Sequence, residues 1–417
     1  WVGMELIFTA IIYGWILPRF QALEVPVEPA AKIPTIQQFK NVVRHVSCMP
    51  SNIYSIEGFL RGHFLQAPLS EIYLDNYRSF ITYVIYSKRL DCATAEEIET
   101  VDELVSWVLI LLDNEMNFSG KAEGGGGGGG KRANGGEARR SKRIVNSKAK
   151  AKSGKNGDTS TAPSRRSYTT ADKVNVLADH PWVKPGFNPE VSHINMGVDP
   201  VYYVHRSVFL YVLKFFLWDV PTPIRLLMMG FRCRNIHGVG FWYRRGSHPT
   251  ARGRNATVLC HGIAVGWVMY MDLISELPTD KDVFLINFPP IMLMSLETPT
   301  LTAWGFSTSI EHILDDYGCT GVTMIGHSFG SAIVSWCMNK FEYKIDRIVF
   351  LDPVALIVAL PDVAGALIYA PAKTLLQCGL RYGMSTELTI SIMINRFYSW
   401  HMSSLWLENV PERIKVF

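Results

Sequence analysis

The sequence predicts an α/β protein: a mostly parallel, doubly wound sheet over residues 246–417, preceded by a helical N-terminal region and a disordered insertion. Three observations predict it. Beyond Arg244, short β-rich apolar runs alternate with segments of helical period. One of those runs passes through Gly326-His327-Ser328-Phe329-Gly330 directly into a helix. Between Ser119 and Thr170 the composition collapses to Gly, Ser, Lys, Arg and Ala, with consecutive glycines from Gly124 to Gly130.

Taken in chain order, Leu6–Leu17 is an apolar run broken by Thr9 and Gly14. It is shorter than the roughly 20 residues a spanning helix needs. Residues 1–20 are therefore expected to be either the C-terminal half of a transmembrane helix or a buried or interfacial helix. The chain starts at Trp1, not Met, and stops at Phe417 inside Arg413-Ile414-Lys415-Val416-Phe417. That last run is expected to begin a buried strand, and a fragment missing both ends is expected.

Residues 21–118 are expected to be helical. From Glu96 to Leu112 the apolar residues Ile98, Val101, Leu104 and Val105 recur at helical spacing, with acids near the start. The insertion, residues 119–170, cannot bury enough apolar area to offset its chain entropy and is expected to be disordered. Residues 171–245 are expected to connect, with order returning near Val198 and one apolar helix over Val208–Trp218. That helix is expected to be interfacial or core-packed, with Lys214 snorkelling.

The formal net charge is +4, but its distribution matters more. Residues 119–167 hold thirteen Lys/Arg against three Asp/Glu, and the rest holds 28 against 34. The basicity belongs to the insertion, so the whole chain is not expected to bind nucleic acid. The seven cysteines are scattered singly with no C-x-x-C pair, which predicts free, mostly buried thiols in a reducing compartment and no zinc ribbon.

In the last 172 positions the expected strands are Ala256–Leu259, Asp282–Phe288, Gly321–Ile325 and Arg347–Leu351. Helices are expected over Val265–Leu277, Ala303–Tyr317 and Gly330–Phe341. Nearly continuous apolar strands alternating with helices imply a parallel sheet covered on both faces. The motif sits where its chemistry needs it. A nucleophilic serine must project from a sharp strand-to-helix turn, and the flanking glycines Gly326 and Gly330 remove Cβ atoms that would clash there. A random chain of this length contains G-x-S-x-G roughly once in ten. The strand before it, the helix after it and the small Ser331 and Ala332 make coincidence about tenfold rarer. Ser328 is the expected nucleophile.

Val258-Leu259-Cys260-His261-Gly262 ends an earlier strand in His-Gly. With these two motifs and Phe350-Leu351-Asp352-Pro353-Val354, residues from about Val239 to Phe417 resemble the α/β-hydrolase superfamily. The stretches Glu5–Phe20 and Val198–Tyr243 resemble its membrane-associated, lipase-like members of fungi, plants and algae. The resemblance implies an oxyanion hole formed by the N–H groups of Phe329 and of Gly262 or Ile263. His261 is then expected to order its loop, not to transfer protons. The implied triad order is Ser, Asp/Glu, His. Asp352 is the candidate acid; the alternative lies one strand later. His401 is the histidine that follows Asp352, although the resemblance places the base after the last strand, beyond Phe417.

Val354–Leu380, rich in Ala, Leu, Ile and Val, falls where a cap over the site is expected, unless these are ordinary packing helices. The expected function is a membrane-associated serine hydrolase, its catalytic domain facing the cytoplasm, acting on a small lipophilic ester with no metal or organic cofactor. The alternatives are a non-catalytic binding protein and another reaction on the same fold.

Overall fold

The computed structural model describes residues 2–23, 35–49, 54–123, 180, 182–247, 254–264 and 266–417. Helix α1 (Val2–Gln21) is, among the described residues, the one helix long and apolar enough to cross a membrane by length and composition. Its Ile12 packs against Val201, Leu388 and Ile392. Leu6, Ile7 and Trp15 on its other sides are exposed.

Helices α2 (Thr35–Cys48), α3 (Ile56–His63), α4 (Leu74–Tyr86) and α5 (Ala95–Glu123) bundle around their own core. The expected helical period is what buries Val101, Leu104, Val105, Val108 and Leu112 of α5 on one side. Ser55 caps α3 by accepting the Gly58 N–H at 2.9 Å. Helix α5 runs to Glu123, so Ser119–Glu123 is helical where disorder was expected. The remainder of the expected disordered insertion, from Gly124 on, lies outside the described residues. Order also returns earlier than Val198. Val183 and Val191 join the bundle core, and the Asn76 amide donates to the Asn188 and Val191 carbonyls at 3.0 and 3.2 Å.

Helix α6 (Val208–Lys214) continues through Phe215–Asp219 into α7 (Pro221–Met228). Most of its apolar side chains face outward, including Phe209, Phe215, Phe216 and Leu217, so it is not a core helix. Lys214 does not snorkel: it is buried and pairs with Asp219 at 2.7 Å.

The sheet has seven strands: β1 (Arg232–Ile236), β2 (Val239–Arg244), β3 (Arg254–Cys260), β4 (Asp282–Ile286), β5 (Cys319–His327), β6 (Ile345–Leu351) and β7 (Lys415–Val416). Their order is β1-β2-β4-β3-β5-β6-β7, with β2 antiparallel to both neighbours and the rest parallel. Side chains alternate between two cores. Val258 of β3, Phe284 of β4 and Met324 of β5 enter one; Leu259, Leu285 and Ile325 enter the other. Helices α9 (Ala303–Asp316) and α10 (Gly330–Phe341) cover the first face, and α7 with α8 (Met271–Ser275) the second. Trp336 of α10 is buried in the first of these cores.

Two sheet features differ from expectation. The β1–β2 hairpin, unforeseen in the sequence, turns at His237-Gly238, both at positive φ (54° and 76°) as a two-residue hairpin turn requires. In the run Arg413–Phe417, expected to begin a buried strand, Ile414 is buried while Lys415 and Val416 of β7 are exposed. The cysteines are free as expected, but Cys48, Cys92, Cys233 and Cys378 are exposed, so burial is not their common trait.

After β6 the chain forms α11 (Pro361–Ala364, continuing as Gly365–Tyr369), α12 (Leu375–Leu380, continuing as Arg381–Ser385), α13 (Leu388–Phe397) and α14 (Trp400–Ser403). Part of this stretch roofs the site described next.

Candidate active site around Ser328

β5 delivers Ser328 to the turn before α10, and the turn is strained: Ser328 has φ of +50°. The Ser328 N–H donates to the Leu351 carbonyl at the end of β6 (2.9 Å), fixing the elbow to its neighbouring strand. Its own carbonyl accepts from the Ser331 N–H at 2.9 Å and the Ser331 hydroxyl at 2.5 Å. The elbow also lies backbone to backbone against the end of β3. A Cβ on Gly330 would sit 2.1 Å from the Cys260 carbonyl oxygen. One on Gly262 would sit 2.9 Å from Ser328 Cβ.

The loop after β3 is clamped from two sides. The Phe288 N–H donates to His261 Nε2 (3.1 Å), so the ring proton resides on Nδ1, which donates to the Gly262 carbonyl at 2.9 Å. Burial pushes the His261 pKa down to about 4, keeping the ring neutral as both bonds need. His261 thus orders the loop, as expected. The Gly262 N–H donates to the Tyr270 hydroxyl at 2.8 Å, and that oxygen lies 2.7 Å from His327 Nδ1.

This changes the expected oxyanion pair. Gly262 is not available as a donor, because its N–H already has a buried acceptor. For the backbone N–H groups of Ile263 and Phe329, no acceptor is found among the described residues. A trans peptide sets its N–H opposite its carbonyl. With His261 holding the Gly262 carbonyl, the N–H of the same peptide, that of Ile263, is aimed away from His261.

Ser328, Phe329 and Ile263 line a cavity of about 240 Å³ whose other walls are apolar. Val354, Val358, Val363, Leu367 and Ile368 come from the stretch expected to form a cap, and Met196, Met384, Ile394 and Tyr398 from beyond it. Apart from the hydroxyls of Ser328 and Tyr398, the lining side chains carry no oxygen or nitrogen. Such a wall receives a hydrocarbon chain and offers no partner to a charged group.

The structure does not unite the expected acid and base. Asp352 is exposed at the end of β6, at φ of +51°, and pairs with no side chain among the described residues. His401 does not face it: its ring nitrogens lie 3.1 Å from the Ser399 hydroxyl, and burial pushes its pKa down to about 4. His401 sits on α14, which packs against the side of α10 through the Met402 carbonyl and Ser335 (2.9 Å). No described histidine hydrogen-bonds Ser328. Among the described residues no group of three or more metal-binding side chains occurs.

Tyr270 and the far cavity walls escaped sequence reasoning. Tyr270 follows His-Gly by eight positions in an apolar segment, where an aromatic residue ordinarily reads as core.

A family model described as alpha/beta hydrolase fold matches residues 255–373, the span from β3 through the elbow to α11. No curated protein matches the sequence. Among solved structures, a Streptococcus mutans protein is similar at 13% identity and a TM-score of 0.25, over 31% of this chain and 48% of that one. A variant of a meta-cleavage product hydrolase is similar at 14% identity and a TM-score of 0.31, over 44% of this chain and 78% of that one. A membrane phospholipase A described as a bacterial virulence factor is similar at 11% identity and a TM-score of 0.26, over 36% of this chain and 48% of that one. The chain therefore spans about half the length of the first and third of these proteins.

Proposed function

We propose that this chain, which carries the α/β-hydrolase fold over residues 255–373, is a serine hydrolase that cleaves ester bonds of a lipophilic acyl substrate. The observation that carries this reading is the strained Ser328 turn opening onto an apolar cavity of about 240 Å³. The acyl chain lies against Val358, Leu367 and Ile368. Ser328 Oγ attacks the ester carbonyl, its proton passes to a general base and from there to the departing alcohol, and water then hydrolyses the acyl-enzyme, freeing the acid and Ser328. The N–H groups of Phe329 and Ile263 receive the developing oxyanion, a contribution commonly worth about 10²–10³ in rate per donor. Asp352, one residue past the strand that holds the Ser328 N–H, is the candidate acid.

Membrane association belongs to the same reading. Trp15 of α1, Phe216 after α6 and Leu376 of α12 all present apolar side chains to solvent. A bilayer would cover such a surface and concentrate a lipophilic ester beside the cap. The cytoplasm-facing placement rests on the free thiols.

A non-catalytic binding protein on the same fold is the competing reading, favoured by the lack of a described histidine bonded to Ser328. Hydrolysis of p-nitrophenyl esters by the full chain and by Ser328→Ala separates the two. Turnover lost in the variant, and faster on longer acyl chains in the parent, supports the enzyme. Equal rates for both proteins contradict it.

A further inference from the structure

We infer that Tyr270 is a positioning residue that sets the oxyanion hole by cross-linking its two halves, an assignment resting on Ser328 as nucleophile. One half is the loop after β3, which supplies the Ile263 N–H. The other is the elbow, which supplies Phe329. Tyr270 touches both: its oxygen accepts the Gly262 N–H at 2.8 Å and lies 2.7 Å from His327 Nδ1. A phenol has one proton. With one lone pair taken by Gly262, the arrangement satisfying every group has Tyr270 donating to Nδ1 and His327 carrying its own proton on Nε2.

The consequence is directional. The two peptides flanking Gly262 are each held by one clamp, the Gly262 N–H by Tyr270 and the Gly262 carbonyl by His261. Removing the hydroxyl frees the first peptide to rotate and leaves a buried N–H without an acceptor, which the loop relieves by turning. The Ile263 N–H moves with it. On the elbow side, His327 directly precedes Ser328, so the same hydroxyl couples the loop to the residue that positions the nucleophile. The ring is also held by packing, edge-on to Trp267 at 5.8 Å and to His327 at 5.5 Å, so Tyr270→Phe deletes the link and keeps these ring contacts.

The full chain and Tyr270→Phe are compared for kcat and KM on a p-nitrophenyl acyl ester. Their affinities are measured for an alkyl boronic acid, which forms a tetrahedral adduct, and for the matching alkyl alcohol, which fills the cavity without one. The expected result is a kcat lower by about 10–100-fold, less than the roughly 10²–10³ lost when an oxyanion donor is removed outright, because here the donor is displaced and not deleted. Boronate affinity falls in parallel, while KM and alcohol affinity stay within about threefold. Unchanged kcat and boronate affinity would overturn the assignment, as would a common fall in both affinities, which marks a disordered cavity. Ser328→Ala is run alongside: if it keeps parental turnover, the nucleophile reading fails and Tyr270 falls with it. If Ser328→Ala is inactive and Tyr270→Phe is parental, the positioning role alone is refuted.

Discussion

Gly330 and Cys260 meet backbone to backbone: a Cβ at residue 330 would lie 2.1 Å from the Cys260 carbonyl oxygen. No rotamer relieves that contact, because both partners are main chain. Gly330→Ala should therefore push the elbow off the end of β3. The expected cost is about 2–3 kcal/mol, the upper part of the usual single-substitution range, read as a shift in the urea midpoint at constant slope. A change below about 0.5 kcal/mol would mean the elbow is not seated on β3 in this way.

Asp352 is exposed and unpaired among the described residues, so its carboxylate does little for stability. As a triad acid it would do much for rate. Asp352→Asn should leave the midpoint within about 0.5 kcal/mol and lower kcat by about 10⁴-fold, the loss seen when a triad acid becomes an amide. A kcat within twofold of the parent moves the acid elsewhere.

Both ring nitrogens of His63 are buried, with the ring set between Phe59 (4.6 Å) and Phe80 (4.8 Å). Burial pushes its pKa down to about 3, and that of His261 down to about 4, from an ordinary value near 6.5. As the pH falls below 6.5 the unfolded chain takes up protons that the folded one refuses. Stability is thus fully present above 6.5 and is lost toward pH 4, by up to about 1.4 kcal/mol per pH unit for each such group. His63→Phe should flatten the pH dependence of the unfolding free energy by up to one proton in this window. An unchanged slope would contradict the buried neutral ring.

Phe216 and Leu376 are exposed apolar residues on separate helices. If both enter a bilayer, Phe216→Glu and Leu376→Glu should each weaken flotation with phosphatidylcholine vesicles by about tenfold or more, since burying such a side chain is worth about 1.5–3 kcal/mol. Hydrolysis of a water-soluble ester should not change. Undiminished flotation in both variants would remove these helices from the membrane contact.

Much of the site's frame was legible in the sequence because its signals are local. The elbow glycines, the β5 run before them and the small residues after them sit in one continuous stretch. Strands β3 to β6 announce themselves by being apolar on both faces. The β1–β2 hairpin was not legible, because the exposed β1 reads Arg-Cys-Arg-Asn-Ile and its turn is His-Gly and not the more familiar Asn-Gly. Tyr270 was hidden for another reason. Its importance lies in two hydrogen bonds to residues 8 and 57 positions away, and no spacing rule foretells such contacts. That the Gly262 N–H is already taken by the Tyr270 hydroxyl was hidden for the same reason.

Whether Ser328 is the nucleophile is read by covalent labelling: the full chain is treated with a fluorophosphonate and the modified peptide is identified by mass spectrometry. The expected result is a single phosphonylated serine, Ser328, with labelling abolished in Ser328→Ala. Labelling that persists in Ser328→Ala, or parental protein that stays unmodified while it hydrolyses esters, would contradict it.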